Sequence, residues 1–105
     1  MFKKHLRLNT SEFKEVFNFG KTTRTPLFLV KTKQNNLPFA RFAVVVSKKI
    51  SKSAVQRNHL KRRFIHALQE EVTHFPASDY VFILNSDVKD IQYKDLLSNL
   101  KHLNL

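Results

Sequence analysis

Phe13, Val16 and Phe17 recur at i, i+3 and i+4, which predicts a short helix with one apolar stripe near the N-terminus. Asn9 or Thr10 is placed to cap it, and Glu12 falls in its first turn, where the helix dipole favours an anion. Gly20, the chain's single glycine, stands where a helix end takes a left-handed residue. Pro26 then opens a β-rich run over residues 27–33, and residues 34–38 (QNNLP) read as its turn. Residues 39–46 are the next predicted strand, and the apolar run 43–46 (AVVV) predicts burial on both faces. Ser51 or Ser53 caps a long helix running to about residue 74, with Pro76 stopping it. Leu60, Phe64 and Leu68, with Ala67 beside them, form its core face. Residues 80–84 (YVFIL) are a second fully apolar strand, and Asp90 caps a last helix whose buried stripe is Leu96, Leu97, Leu100 and Leu103.

A buried strand, a helix of about twenty residues and another buried strand make a βαβ unit and imply a parallel pair. The expected architecture is a small α/β sandwich, of the α+β type, built on one mixed sheet. At 105 residues, with one glycine, three prolines and no repeat or low-complexity tract, residues 1–105 read as a single domain.

Charge changes the picture from a fold to a function. The formal net charge is +11, and it is unevenly spread. Residues 1–63 carry 16 Lys and Arg against Glu12 and Glu15, whereas residues 64–105 carry three Lys against six acids. A surface made only for solubility would mix the signs. A one-sided field of this size points to a polyanionic partner, above all nucleic acid. There is no cysteine, which removes disulfides, thiolate metal sites and cysteine nucleophiles. Lys3, Lys4 and Arg7 make the N-terminus basic, but no apolar segment follows as in a signal peptide, and no run approaches membrane-spanning length. A soluble, cytoplasmic protein without a membrane partner is expected.

The charge concentrates in residues 48–63 (KKISKSAVQRNHLKRR), where seven of sixteen side chains are Lys or Arg and none is acidic. Arg57 and Lys61 stack at i, i+4, with Asn58 and Arg62 beside them, on one flank of the Leu60/Phe64/Leu68 stripe. Lys48, Lys49 and Lys52 precede the helix. Arg offers phosphate a planar fork of donors, Lys a point charge, and Asn a group that both donates and accepts, suited to a 2′-hydroxyl or a base edge. The histidines at 5, 59, 66, 74 and 102 show no metal-ligand spacing and no carboxylate partner on a shared helix face. No paired-carboxylate site, phosphate-cradling glycine loop or activated nucleophile is visible, so the polypeptide alone is expected not to cut RNA.

Read in order, these motifs resemble a known family. Val46-Ser47-Lys48-Lys49, then Arg57-Asn58 with Lys61-Arg62, is similar to the signature of the bacterial ribonuclease P protein subunit. Arg7-Leu8, Ser11-Glu12-Phe13, Val16-Phe17 and Gly20-Lys21 resemble its N-terminal pattern, and residues 41–49 its central strand. The resemblance spans residues 3–103. It implies a single mixed four-stranded sheet packed with three helices in the order α-β-β-β-α-β-α, with a left-handed βαβ crossover against the usual hand. It also implies that the chain joins a large catalytic RNA that removes the 5′ leader of precursor tRNA, the RNA performing the chemistry with magnesium that it mainly holds itself. Lys48, Lys49, Lys52, Arg57, Asn58, Lys61 and Arg62 would then bind RNA, and Phe13, Phe17 and Lys31 would line a leader cleft between the sheet and the first helix. The sequence departs from the pattern at His59 and Ile65, where arginines are usual, at Ala43 for a common glycine, and at Lys31 for a cleft tyrosine. The rival reading is a ribosomal-type structural RNA-binding protein with no role in cleavage.

Overall fold

The computed structural model describes residues 6–103, so Lys3, Lys4 and His5 lie outside it. The described residues form helix α1 (Thr10–Phe19), strands β1 (Lys21–Arg24), β2 (Phe28–Gln34) and β3 (Arg41–Val45), helix α2 (Ala54–Glu70), strand β4 (Ser78–Leu84) and helix α3 (Tyr93–Lys101). The order is the expected one. The sheet runs β1-β2-β4-β3, with β1–β2 and β2–β4 antiparallel and β3–β4 parallel.

β4 is central, and Tyr80, Val81, Phe82 and Leu84 are buried, so it is covered on both faces. One face carries Phe28, Val30, Phe42, Val44, Tyr80 and Phe82 against Leu60, Phe64, Ala67 and Leu68 of α2 and Leu96 and Leu100 of α3. Aromatic rings knit this layer together. Phe82 meets Phe28 nearly edge-on at 5.2 Å between centroids, and Phe42 stacks on Tyr80 at 5.5 Å. Each fully buried ring contributes ~1.5–3 kcal/mol through burial alone, so this layer is the scaffold. Burial also raises the pKa of the Tyr80 hydroxyl, which donates to the Pro76 carbonyl at 2.6 Å.

Several local expectations need correction. β3 is not buried on both faces. It is an edge strand with alternating burial, Phe42 and Val44 inward and Ala43 and Val45 half-exposed. Its valine run looked like a central strand because edge position depends on strand order, which local sequence does not encode. α2 is capped by Ser53 but ends at Glu70, and a separate 3₁₀ turn, Val72–His74, carries the chain to buried Phe75. Asp90 does not cap α3. It closes a 3₁₀ turn, Ser86–Lys89, and Gln92 precedes α3 with no side-chain cap bond. Leu96 and Leu100 are buried in α3 as expected, and Leu97 and Leu103 pack partly buried against them.

Gly20 is not left-handed either: its φ and ψ are −74° and 154°. The chain passes straight from α1 into β1, whose Lys21 pairs with Thr32. A Cβ at Gly20 would lie 2.4 Å from the Val16 carbonyl oxygen and 3.1 Å from that of Thr32. The glycine serves close backbone approach, not helix-end handedness. Among the described residues Asn36 has the positive φ, 58°, in the β2–β3 turn, where asparagine tolerates it.

Gly20→Ala is therefore expected to destabilise the fold by about 1–3 kcal/mol, since backbone atoms must move to admit one methyl group. Thermal denaturation should show a Tm lowered by roughly 4–8 °C per kcal/mol for a chain of this size. An unchanged Tm would show that the close approach is not a constraint.

Candidate nucleic-acid interface

The second face of the sheet is covered much more thinly. By register it presents three rows: Lys33, Asp79 and Arg41; then Lys31, Val81 and Ala43; then Leu29, Ile83 and Val45. α1 lies against β2 and β4 on this side. Asn9 caps it through a capping box, accepting from the Glu12 amide at 2.8 Å while Glu12 Oε1 accepts from the Asn9 amide at 2.8 Å.

The predicted apolar stripe of α1 divides in the structure. Val16 is 1% exposed and is the residue that α1 buries, worth about 1.5–3 kcal/mol. Phe13 is half-exposed and Phe17 is 42% exposed. Their rings stack on each other at 5.8 Å, tilted by 20°, and Lys31 Nζ sits 4.9 Å from the Phe17 centroid. Phe13, Phe17 and Lys31 thus come together beside half-exposed Leu29, Ala43, Val45 and Ile83. The result is an open trough with an apolar floor, aromatic faces and a cation.

At its β3 end the trough opens into a cavity of about 340 Å³, lined by Leu8, Phe13, Ala43, Val44, Lys61 and Ile65 among others. The N-terminal segment forms one side, the Leu8 amide donating to the Phe42 carbonyl at 3.1 Å. Lys61 of α2 therefore faces the same space as Phe13 of α1. Ile65, where an arginine was expected from the resemblance, is 6% exposed and packs as part of this wall. Its apolar neighbours Ala67 and Leu68 were readable from periodicity; its inward position was not.

The basic residues separate into distinct environments. Lys48, Lys49 and Lys52 are exposed in the β3–α2 loop, which is anchored by buried Ile50. Asn58, Lys61 and Arg62 are exposed on α2. Arg57 is half-buried and donates to the Ser51 carbonyl at 2.8 Å, so it also holds the loop to the helix. Exposed Val55 lies at i−3 and i−7 from Asn58 and Arg62, an apolar spot on the polar face that charge counting missed. Arg63 turns to the other flank and donates to the Ile91 carbonyl.

The histidines are not without carboxylate neighbours, contrary to expectation. His66 lies 3.8 Å from Glu70 one turn on and 2.5 Å from the Tyr93 hydroxyl, and His74 lies 3.1 Å from Glu71. Burial raises the pKa of Tyr93, and adjacent Glu70 adds to the effect. Among the described residues no three His, Asp or Glu side chains gather as a metal cage.

Sequence reading also missed a charged network on the far flank of α1. Arg41 donates from Nε to Asp79 Oδ1 at 2.8 Å and from a terminal nitrogen to Oδ2 at 2.7 Å, while its other terminal nitrogen donates to Glu12 Oε2. Asn35 adds a bond to Asp79 Oδ1 at 2.9 Å. Asp79 is 6% exposed, a burial that its partners make tolerable. The hydrogen bond to Asp79 leads the upward shift of the Arg41 pKa. Glu15 pairs with Lys33 nearby at 3.2 Å.

Comparison with known proteins gives the family and the fold. The model of the family described as Ribonuclease P matches residues 2–104. The ribonuclease P protein component of Streptococcus thermophilus is 37% identical over 92 residues, covering 88% of this chain and 82% of that protein. That of Geobacillus thermodenitrificans is 36% identical over 107 residues, covering 98% and 86%. The solved Staphylococcus aureus RNase P protein superposes with a TM-score of 0.79 at 26% identity, covering 92% of this chain and 90% of that one. The Thermotoga maritima protein gives 0.78 at 25% identity, covering 93% and 97%.

The different environments on α2 give distinct expectations. Arg62→Ala should weaken RNA binding and flatten its salt dependence by ~0.7–0.9 per lost phosphate contact, with Tm unchanged. Arg57→Ala should weaken binding and also lower Tm, because the Ser51 carbonyl loses its donor. Binding titrations across salt concentrations, paired with melting curves, check both. A salt slope unmoved by Arg62→Ala would place the phosphates elsewhere.

Proposed function

The chain belongs to the ribonuclease P protein family, and from that premise we propose that it is the non-catalytic subunit that binds the catalytic RNA and cradles the 5′ leader of precursor tRNA. The observation that carries this reading is an open aromatic trough meeting an acid-free basic surface at Lys61 on one small molecule. Unpaired bases stack on aromatic faces for ~1–3 kcal/mol each, whatever their sequence, which suits leaders of many sequences. A structured RNA, by contrast, presents phosphates and 2′-hydroxyls, which suit Lys48, Lys49, Lys52, Arg57, Asn58, Lys61 and Arg62.

The division of labour follows from the side chains available. The acids nearest the trough, Glu12 and Asp79, are already engaged by Arg41, so the donor set does not fit a divalent cation. On this reading magnesium enters with the RNA. The protein contributes binding energy to the leader on one side of the scissile bond and to the catalytic RNA, which aligns that bond with the RNA's reacting groups. It also supplies positive charge, which lessens the dependence of the RNA assembly on added cations. No helix among the described residues is long and apolar enough to cross a membrane. Work in the cytoplasm, where tRNA precursors are made, is part of the proposal.

Adding the protein to the cognate catalytic RNA, at magnesium too low for that RNA alone, should restore leader removal from precursor tRNA. A ribosomal-type RNA-binding protein would bind RNA and leave cleavage unchanged, and that result would sink the reading.

A further inference from the structure

α1 is held to the sheet asymmetrically. At 3.6 residues per turn, Glu12 and Glu15 fall on one flank, Phe13 and Phe17 on the other, and Val16 between them faces the sheet. The contacts follow that division. Glu12 and Glu15 meet Arg41 and Lys33, and Phe17 meets Lys31. Val16 is the one residue α1 fully buries, with Phe13 half-exposed beside it, a narrow apolar seat about which a ten-residue helix can roll. Such a helix has little stability of its own. Its aromatic flank borders the open trough. Gly20 and β1 anchor its C-terminal end, so what fixes the roll of its first turns is the charged flank, and most of all Arg41. Arg41 is locked in two parallel bonds to buried Asp79 and reaches Glu12 from there. Glu12 is shared: one oxygen closes the helix cap and the other takes the Arg41 bond.

We propose that Arg41, clamped between Asp79 and Glu12, is a positioning residue that sets the height of Phe13 and Phe17 over the trough and so the protein's grip on a single-stranded leader. This rests on the leader-binding reading above. Arg41 need not touch RNA; it acts through the helix. Losing the clamp lets α1 roll toward the sheet or away from it, and either movement spoils a stacking distance without disturbing the aromatic core on the sheet's other face.

The test uses the holoenzyme, reconstituted with the cognate catalytic RNA, and compares its affinity for precursor tRNA with that for mature tRNA lacking the leader. Arg41→Met should reduce the preference for precursor by roughly tenfold, equivalent to one lost stacked base, with affinity of the protein for the catalytic RNA unchanged. Glu12→Gln keeps the cap through its one carbonyl oxygen, since Gln also closes a capping box, and presents Arg41 with an amide NH2 that has neither the charge nor the acceptor of the lost oxygen. It should give a smaller loss in the same direction, and it decides the matter if Arg41→Met does not fold. In a clamp-free background, Phe17→Ala should cost little more, whereas in the wild type it should cost its full stacking contribution. A Glu12→Gln protein that prefers precursor as strongly as wild type overturns the clamp. So does a parallel loss of affinity for the catalytic RNA, which marks a general structural role. A wild-type holoenzyme that binds both tRNAs alike overturns the leader reading itself, and the clamp with it.

Discussion

Asp79 is a carboxylate buried in the central strand, and that position is tenable only because Arg41 on the neighbouring strand meets both its oxygens. Breaking such a pair from one side typically costs ~3–5 kcal/mol, because the remaining charge stays buried. The same guanidinium reaches Glu12, and Asn35 ties the β2–β3 turn to the same carboxylate. One polar knot thus joins α1, β3, β4 and a turn on the face of the sheet that has little apolar cover.

The two faces of β4 divide the work. On one, interlocking aromatic rings and two helices make a scaffold that needs no charge. On the other, one buried valine, the knot and a few half-exposed contacts hold α1, and the uncovered remainder is the trough. A fuller apolar seat for α1 would have been more stable and would have closed the trough proposed to hold the leader. α2 enters the same space through Lys61, so on the proposed reading the stacking surface for the leader and the basic surface for the catalytic RNA are adjacent walls.

Much of this was legible in the sequence, and the limits have physical causes. Periodicity placed α2's core residues Leu60, Phe64 and Leu68, and the basic run 48–63 announced its partner class, because both signals are local. Strand order was not local. The valines of β3 read as central, and β1, a short polar edge strand, gave no signal of its own; the four-strand count and the crossover's hand came with the family resemblance. Gly20 was marked as special for the wrong reason, since a close approach to Thr32 is a tertiary fact. Phe13 and Phe17 shared a stripe with Val16, yet only the fold determined which of the three is buried. Arg41 and Asp79, 38 residues apart, are invisible as a pair to any local pattern. Ile65 looked like a missing arginine and is a wall residue of the cavity.

The central claim is that the leader lies in the trough between α1 and the sheet. Photocrosslinking tests it most directly: a photoreactive nucleotide is placed in the leader of a precursor tRNA, bound to the assembled holoenzyme, and the crosslinked peptide is mapped. The predicted crosslinks fall on α1 around Phe13 and Phe17 and on β2 around Lys31. Crosslinks confined to α3 or to the solvent face of α2 around Arg62 would contradict it.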